Sequence, residues 1–302
     1  MKLIPTLRQL QYLVAVAEHR HFGRAADSCF VTQSTLSSGI QDLESILNCR
    51  LIERGTRRQV MLTPLGEDIV ERARALLRDA EALADVAESG RRPLAGRLRL
   101  GVIPTIGPYF LPRVMPAVRE AYPDLKLYLR EDQSARLIDA LHAGRMDCAV
   151  LATPYDIGDL ATLQLGDDHL LVGMPVGHPL GEKPEIDPED LESEEMLMLE
   201  DGHCLREHAL GACAGHPLKA NEAVQATSLG TLVQMVANGL GLTLIPEMAL
   251  PTVAYEGSGV IARRFDHPEP SRGIALVWRA SSPRKKEFEL LAEVLRTHLG
   301  IR

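Results

Sequence analysis

No apolar run in this sequence of 302 residues approaches the length needed to cross a bilayer, and Met1 to Gln11 lack the apolar centre of a signal peptide. The first absence argues against a helical membrane protein, and both together point to the cytoplasm. Cysteines are few: five, at positions 29, 49, 148, 204 and 213. An odd, scattered set does not make the disulfide framework of a small secreted domain, and in a reducing compartment any disulfide is conditional. There is no Cys-x-x-Cys pair of the kind that marks structural zinc, and no repeat or low-complexity tract. What is present is ordinary globular composition, 45% hydrophobic and 25% charged, at a length sufficient for two or three domains. The net charge of −8 argues against a generally basic nucleic-acid binder. It is unevenly spread, however: residues 1–62 hold eight Lys/Arg against five Asp/Glu, a net +3, which leaves −11 for the remainder.

The basic end is patterned for helices. Leu7, Leu10, Leu13, Val14 and Ala17 recur at helical spacing, and a short second segment carries the small pair Ala25-Ala26, which permits close helix approach. In a third segment Leu36, Ile40 and Leu43 form one apolar face behind Thr32, a plausible N-cap, while the opposite face is all hydroxyls and amides. Thr32, Gln33, Ser34, Thr35, Ser37 and Ser38 suit a recognition helix in a major groove, or a merely solvated polar face. The stretch from Leu51 to Thr63 reads as strand, basic turn, strand, a wing whose Arg54, Arg57 and Arg58 would meet phosphates.

Phe22 to Ala26, Thr32 to Ser37, the Ile40, Leu43 and Glu44 ending, Leu51 with Glu53 and Arg54, and Leu62-Thr63-Pro64 with Gly66 together resemble the winged helix-turn-helix of LysR-type transcriptional regulators. From Pro64 onward Leu65, Ile69, Ala73, Leu76, Ala80, Leu83 and Ala87 form a heptad-like seam. Either a long buried helix or a dimerising linker helix fits that seam, and the linker is favoured because it directly follows a wing. Beyond Gly96 apolar strand patterns alternate with helical ones: strands at Leu98 to Ile103, Leu125 to Leu129, Asp147 to Leu151, Leu170 to Met174, Met196 to Leu199, Leu242 to Ile245 and Ile274 to Trp278. Helices are expected at Gly107 to Ala121, Ala135 to Ala143, Leu229 to Ala237 and Pro283 to Leu299. Such alternation predicts parallel sheets covered by helices.

The resemblance implies a multidomain chain: an α winged helix-turn-helix at 1–63, a dimerisation linker helix at 64–90, a hinge at 91–96 and a regulatory domain at 97–302. That last part is implied to be an α/β fold of the periplasmic-binding-protein kind with two Rossmann-like subdomains, I at 97–167 and 268–302 and II at 168–267.

Cys204 is the residue that carries chemistry. Only a thiolate attacks peroxides or disulfides, and the basic neighbours His203 and Arg206 are expected to raise its thiolate fraction. The blocks Glu18 to Phe22, Arg24 to Cys29, Ile103 to Tyr109, Leu197 to Arg206, Gly211 with Cys213, Ala226 to Leu229 and Pro268 to Pro270 resemble the peroxide-responsive activators of the LysR family along essentially the whole chain. That likeness implies Cys204 as the peroxidatic cysteine, Cys213 as the resolving one, and Thr105, Ser134, His203 and Arg272 as the groups that hold peroxide. Ser134 departs from the Thr common in the family and keeps only the hydroxyl. Thr105 has a rival reading as a helix cap, and Arg272 as an ordinary surface charge. Cys29, Cys49 and Cys148 read as packing residues.

By the same likeness the partners are operator DNA, hydrogen peroxide, RNA polymerase, a glutaredoxin or thioredoxin reductant, and copies of the chain in a homotetramer built as a dimer of dimers; no cofactor and no metal are implied. Three rivals remain. A metal sensor could draw on His203, Cys204, His208, Cys213 and His216. A thiol peroxidase would share the cysteine chemistry without needing the basic N-terminal module or the seam helix. A regulator reading an organic effector would not need the Gly202-His203-Cys204-Leu205-Arg206 block.

Overall fold

The computed structural model describes residues 4–53, 60–89, 93–212 and 219–300, which fall into two units, Met1–Ala87 and Glu88–Arg302. In the first unit, capping residues set the helix starts. Helix α1 (Leu7–His19) opens on a reciprocal box between Thr6 and Gln9, α2 (Phe22–Ser28) on the His21 ring, and α3 (Gln33–Leu47) on Thr32. Leu13, Val16, Ala25, Ala26, Leu36, Ile40 and Leu43 are buried between them. Small residues set the spacing: a Cβ on Gly39 would fall 2.7 Å from the Tyr12 ring, so α1 and α3 approach only with glycine there.

The expected wing is present at its stems. Ile52 and Leu62 form an antiparallel bridge, and the Glu44 carboxylate at the end of α3 accepts the N–H groups of Leu51 at 2.7 Å and Ile52 at 3.2 Å. The turn expected to carry Arg54, Arg57 and Arg58 lies outside the described residues. Helix α4 (Pro64–Ser89) is continuous over 26 residues, about 39 Å at 1.5 Å per residue. Ile69, Val70, Ala73 and Leu77 pack on Leu10, Leu13, Leu43 and Leu51, whereas Leu65, Leu76 and Leu83 of the seam are exposed. The hinge expected at 91–96 begins in residues outside those described.

The second unit starts with β1 (Gly96–Val102), α5 (Gly107–Ala121), β2 (Leu125–Glu131), α6 (Ser134–His142) and β3 (Cys148–Thr153). Strand β1 lies between β2 and β3, parallel to both, and Leu98, Leu100, Phe110, Val114, Leu137 and Val150 fill the layer between sheet and helices. Strand β4 (Leu160–Pro175) carries the chain into a second half. There follow β5 (Glu185–Ile186), β6 (Glu195–Leu199), α7 (Cys204–Ala212), β7 (Lys219–Ala226), α8 (Leu229–Ala237), β8 (Thr243–Pro246), α9 (Leu250–Val253) and β9 (Val260–Phe265). Strand β10 (Ser271–Arg279) returns to the first half, and α10 (Lys285–Thr297) covers it.

The main sheet runs β2-β1-β3-β10-β4-β9-β5, with β8 also on β4, and β6 pairs with β7. The expectation of parallel pairing holds for β1 with β2 and β3, β5 with β9 and β6 with β7, and needs correction at the crossing strands: β10 is antiparallel to β3 and β4, and β4 is antiparallel to β8 and β9. The physical reason is that β4 leaves the first half and β10 re-enters it. Two strands carrying the chain in opposite senses between the same halves must run against each other, which accounts for the β4–β10 pair.

Candidate functional site

Two surfaces carry the polar chemistry. On α3 the Thr32 hydroxyl accepts the Thr35 N–H at 3.3 Å and lies 2.9 Å from the Ser34 hydroxyl and 2.8 Å from that of Thr35. Thr32, Gln33, Ser34, Thr35 and Ser38 are exposed and Ser37 is half-buried, directly opposite the buried Leu36, Ile40 and Leu43. The sequence therefore builds an exposed face without charge on a helix whose other face is core, a shape and chemistry that fit a major groove.

The second site is interior. Thr105 sits in the β1–α5 loop, Ser134 is the first residue of α6, and Cys204 is the first residue of α7, so all three occupy the turns into helices that follow strands. Ends of this kind are where α/β folds gather ligand groups. Gly202, at φ 93°, makes the turn into α7 in a backbone region that other side chains rarely adopt. Arg272 arrives from β10. In the antiparallel ladder it stands directly across from Asp168 of β4, and both side chains are fully buried.

Arg272 is the hub. Its Nε and Nη2 donate to Asp168 Oδ2 at 3.1 and 2.9 Å, Nη2 also donates to the Thr105 carbonyl at 3.0 Å, and Nη1 donates to Thr105 Oγ1 at 2.8 Å. Asp168 Oδ1 in turn accepts the Met248 N–H at 3.0 Å. A guanidinium has five N–H groups; among the described residues one on Nη1 has no acceptor. Thr105 uses its oxygen as an acceptor and keeps its O–H to give. The Ser134 hydroxyl, also buried, has no hydrogen-bond partner of good geometry among the described residues. An N–H on Arg272 Nη1 and the O–H of Thr105 are thus unspent side by side, while the Ser134 hydroxyl faces the Cys204 sulfur.

Cys204 is buried, and burial raises its thiol pKa above the ordinary value; Arg272 and then the Ser134 hydroxyl oppose the shift, while Glu207 adds to it. This corrects the expectation of a thiolate favoured by adjacent bases. Arg206, the expected activator, pairs instead with Asp201 at 3.0 Å, and His203, itself buried, has Nε2 3.7 Å from Glu200. The cation acting most strongly on the sulfur comes from a distant strand, and dehydration outweighs it. The reading of Arg272 as an ordinary surface charge fails for the same reason: it is among the most deeply buried side chains. The reading of Thr105 as a cap gives way too, since its hydroxyl serves Arg272.

Sequence reasoning missed Asp168, His208 in any role but metal ligand, and Tyr155. Burial, then Glu207 and Cys204, raise the Tyr155 pKa, which sets that phenol near the thiol. For Asp168 the sequence carries no signal, because it sits between Asp167 and His169 in the polar half of β4. Cys213 and His216 lie outside the described residues, and among the described residues no group of three His, Cys, Asp or Glu converges to hold a metal. Cys148 is wholly buried in β3, and burial raises its thiol pKa; Cys29 and Cys49 are partly buried against the cores of the first unit. No helix is long and apolar enough to cross a membrane among the residues described.

Family models fit both units. Residues 7–67 match the lysR-family bacterial regulatory helix-turn-helix protein, and residues 91–300 match the LysR substrate binding domain. The chain is 42% identical over 295 residues to the hydrogen peroxide-inducible genes activator of Dickeya chrysanthemi, covering 98% of this chain and 96% of that one. Among solved structures it is similar to a full-length OxyR variant from Pseudomonas aeruginosa, at a TM-score of 0.78 and 38% identity, with 97% of this chain and 98% of that one covered. A hydrogen-peroxide-bound OxyR mutant from Corynebacterium glutamicum matches at a TM-score of 0.68 and 35% identity, covering 99% and 94%. The chain belongs to the LysR family of bacterial helix-turn-helix regulators, within its OxyR group.

Proposed function

We propose that this chain is a hydrogen-peroxide-sensing transcriptional regulator whose switch is a reversible Cys204–Cys213 disulfide. The observation that carries the reading is the buried thiol that feels Arg272 and the Ser134 hydroxyl, with a spare N–H on Arg272 Nη1 and a spare O–H on the Thr105 it binds. Such donors can orient a peroxide and stabilise the oxygen on which charge develops as the O–O bond breaks. The Cys204 sulfur bonds to one peroxide oxygen; the other leaves and takes up the thiol proton as water, giving a sulfenic acid. Cys213 then displaces that hydroxyl, a second water forms, and the disulfide closes. His203 is the further peroxide-holding group of this reading, and Arg206, held by Asp201, braces the turn into α7.

Closure has a geometric consequence. Helix α7 carries the chain from Cys204 to Ala212, about 12 Å along its axis, whereas a disulfide needs Cα atoms within about 7 Å. One further 3.8 Å step cannot recover that span, so α7 must unwind, and its unwinding is the signal.

In this reading residues 1–63 bind operator DNA through α3 and the basic wing residues Arg54, Arg57 and Arg58. A dimerisation linker at 64–90, built on helix α4, pairs copies through the exposed Leu65, Leu76 and Leu83, residues 91–96 form a hinge, and 97–302 sense, with subdomain II spanning 168–267. A homotetramer rearranges on oxidation and changes its engagement of DNA and RNA polymerase in the cytoplasm, and glutaredoxin or thioredoxin restores the thiols. The test is footprinting of an operator by the reduced and the peroxide-treated chain. A footprint that changes length or position on oxidation, and does not change in Cys204→Ser, supports the reading; identical footprints in both states overturn it.

A further inference from the structure

His208 lies four positions after Cys204 on α7, hence on the same side of the helix one turn later. It is buried, and its Nε2 is 3.0 Å from the Pro154 carbonyl oxygen in the β3–β4 connection. A carbonyl can only accept, so Nε2 carries the proton and the ring, when neutral, holds a lone pair on Nδ1. That Nδ1 is buried with no partner among the described residues.

We propose that His208 is a positioning residue and a pH-sensitive latch: its neutral ring fastens α7, and with it Cys204, to the β3–β4 connection, and protonation releases the helix. A second proton on the ring would sit on Nδ1, where no acceptor meets it among the described residues. The charged groups facing it are Arg272 from β10, which repels an imidazolium, and Glu207 of α7, which attracts one. Tyr155, next to the accepting Pro154, stays a neutral phenol and offers no compensating charge. Burial and Arg272 hold the docked His208 below its ordinary pKa, with the Pro154 hydrogen bond and Glu207 opposing.

The sign follows. A released, hydrated ring has a pKa of about 6.5 and takes up a proton more readily than the docked one. Docking therefore has its full strength above that value. As pH falls below it, the opening equilibrium of α7 rises by up to about tenfold per pH unit, until the docked ring itself titrates.

The proposal deepens the redox reading, since the released helix is the one that must unwind, but its primary test needs no peroxide. Hydrogen exchange of the reduced full-length chain is followed by mass spectrometry from pH 8 to pH 5, corrected for intrinsic exchange, comparing peptides from α7 with peptides from α5. Wild type should lose α7 protection selectively on the acid side. His208→Gln retains an N–H for the Pro154 carbonyl and cannot titrate, so the acid limb should vanish; His208→Ala should open α7 at every pH. An α7 response no different from that of α5, or an acid limb that persists in His208→Gln, overturns the latch. Should Cys204 prove inert to peroxide, the redox reading fails while these exchange data still decide the role of His208.

Discussion

Replacing Asp168 by Asn tests the hub of the site, because it should move stability and thiol chemistry in opposite directions. Asp168 and Arg272 are both fully buried, and the carboxylate accepts two guanidinium N–H groups and the Met248 amide. Breaking such a pair from one side typically costs about 3–5 kcal/mol, because a charge is left buried without its counterion. Asn keeps the shape and one carbonyl, but its NH₂ must face either Arg272 or the Met248 N–H, donor against donor. A loss near the lower end, about 3 kcal/mol, is expected, which for a domain of this size is roughly 6–12 °C in Tm. Meanwhile the Arg272 charge, no longer neutralised, should pull the Cys204 pKa down from its raised value. Calorimetry of the reduced chain reads the first effect, and the pH dependence of Cys204 alkylation, followed on its peptide, reads the second. An unchanged Tm, or a thiol that becomes less acidic, refutes the reasoning. Arg272→Gln is the control and should make the thiol harder to ionise.

Thr105→Val removes the hydroxyl that accepts from Arg272 Nη1 at 2.8 Å and leaves a charged donor short of a partner. It also removes the O–H that would donate to peroxide, and at about 1.5–3 kcal/mol for such a donor in the transition state Cys204 oxidation should slow roughly ten- to a hundredfold in stopped-flow or quench measurements. Thr32→Ala deletes the cap of α3 and the hydroxyl that organises Ser34 and Thr35; a loss of about 1 kcal/mol corresponds to roughly fivefold weaker operator binding in gel-shift titration. Leu76→Glu combined with Leu83→Glu places charge on exposed seam positions of α4 and should lower the sedimentation coefficient by dissociating the assembly, with little change in the melting of a subunit.

Local features of the fold were the legible ones. The Thr32 cap, the apolar face of α3, the long α4 and the spans of α5 and α8 follow from side-chain periodicity and capping chemistry, which act within a turn or two of chain. The strand β4 was expected only at its apolar end, because its first half alternates buried with exposed positions and includes Gln164, Asp167 and Asp168. Strand β9 carries Arg263 and Arg264 and does not advertise itself as buried structure. The candidate site divides the same way. Cys204 stands out in sequence by its cysteine and basic neighbours. Its actual electrostatics come from burial and from Arg272, which the antiparallel register sets against Asp168 across 104 positions of chain. Arg206 looked like the activator because it is near in sequence, yet Asp201 holds it.

The central claim is tested most directly by mapping every thiol in the full-length chain by mass spectrometry before and after one equivalent of hydrogen peroxide, with Cys204→Ser alongside. Selective loss of the Cys204 and Cys213 thiols, recovered as one disulfide-linked peptide pair that is absent from the variant, is the expected result. A Cys204 thiol that survives peroxide unchanged, or oxidation spread over Cys29 and Cys49 instead, contradicts it.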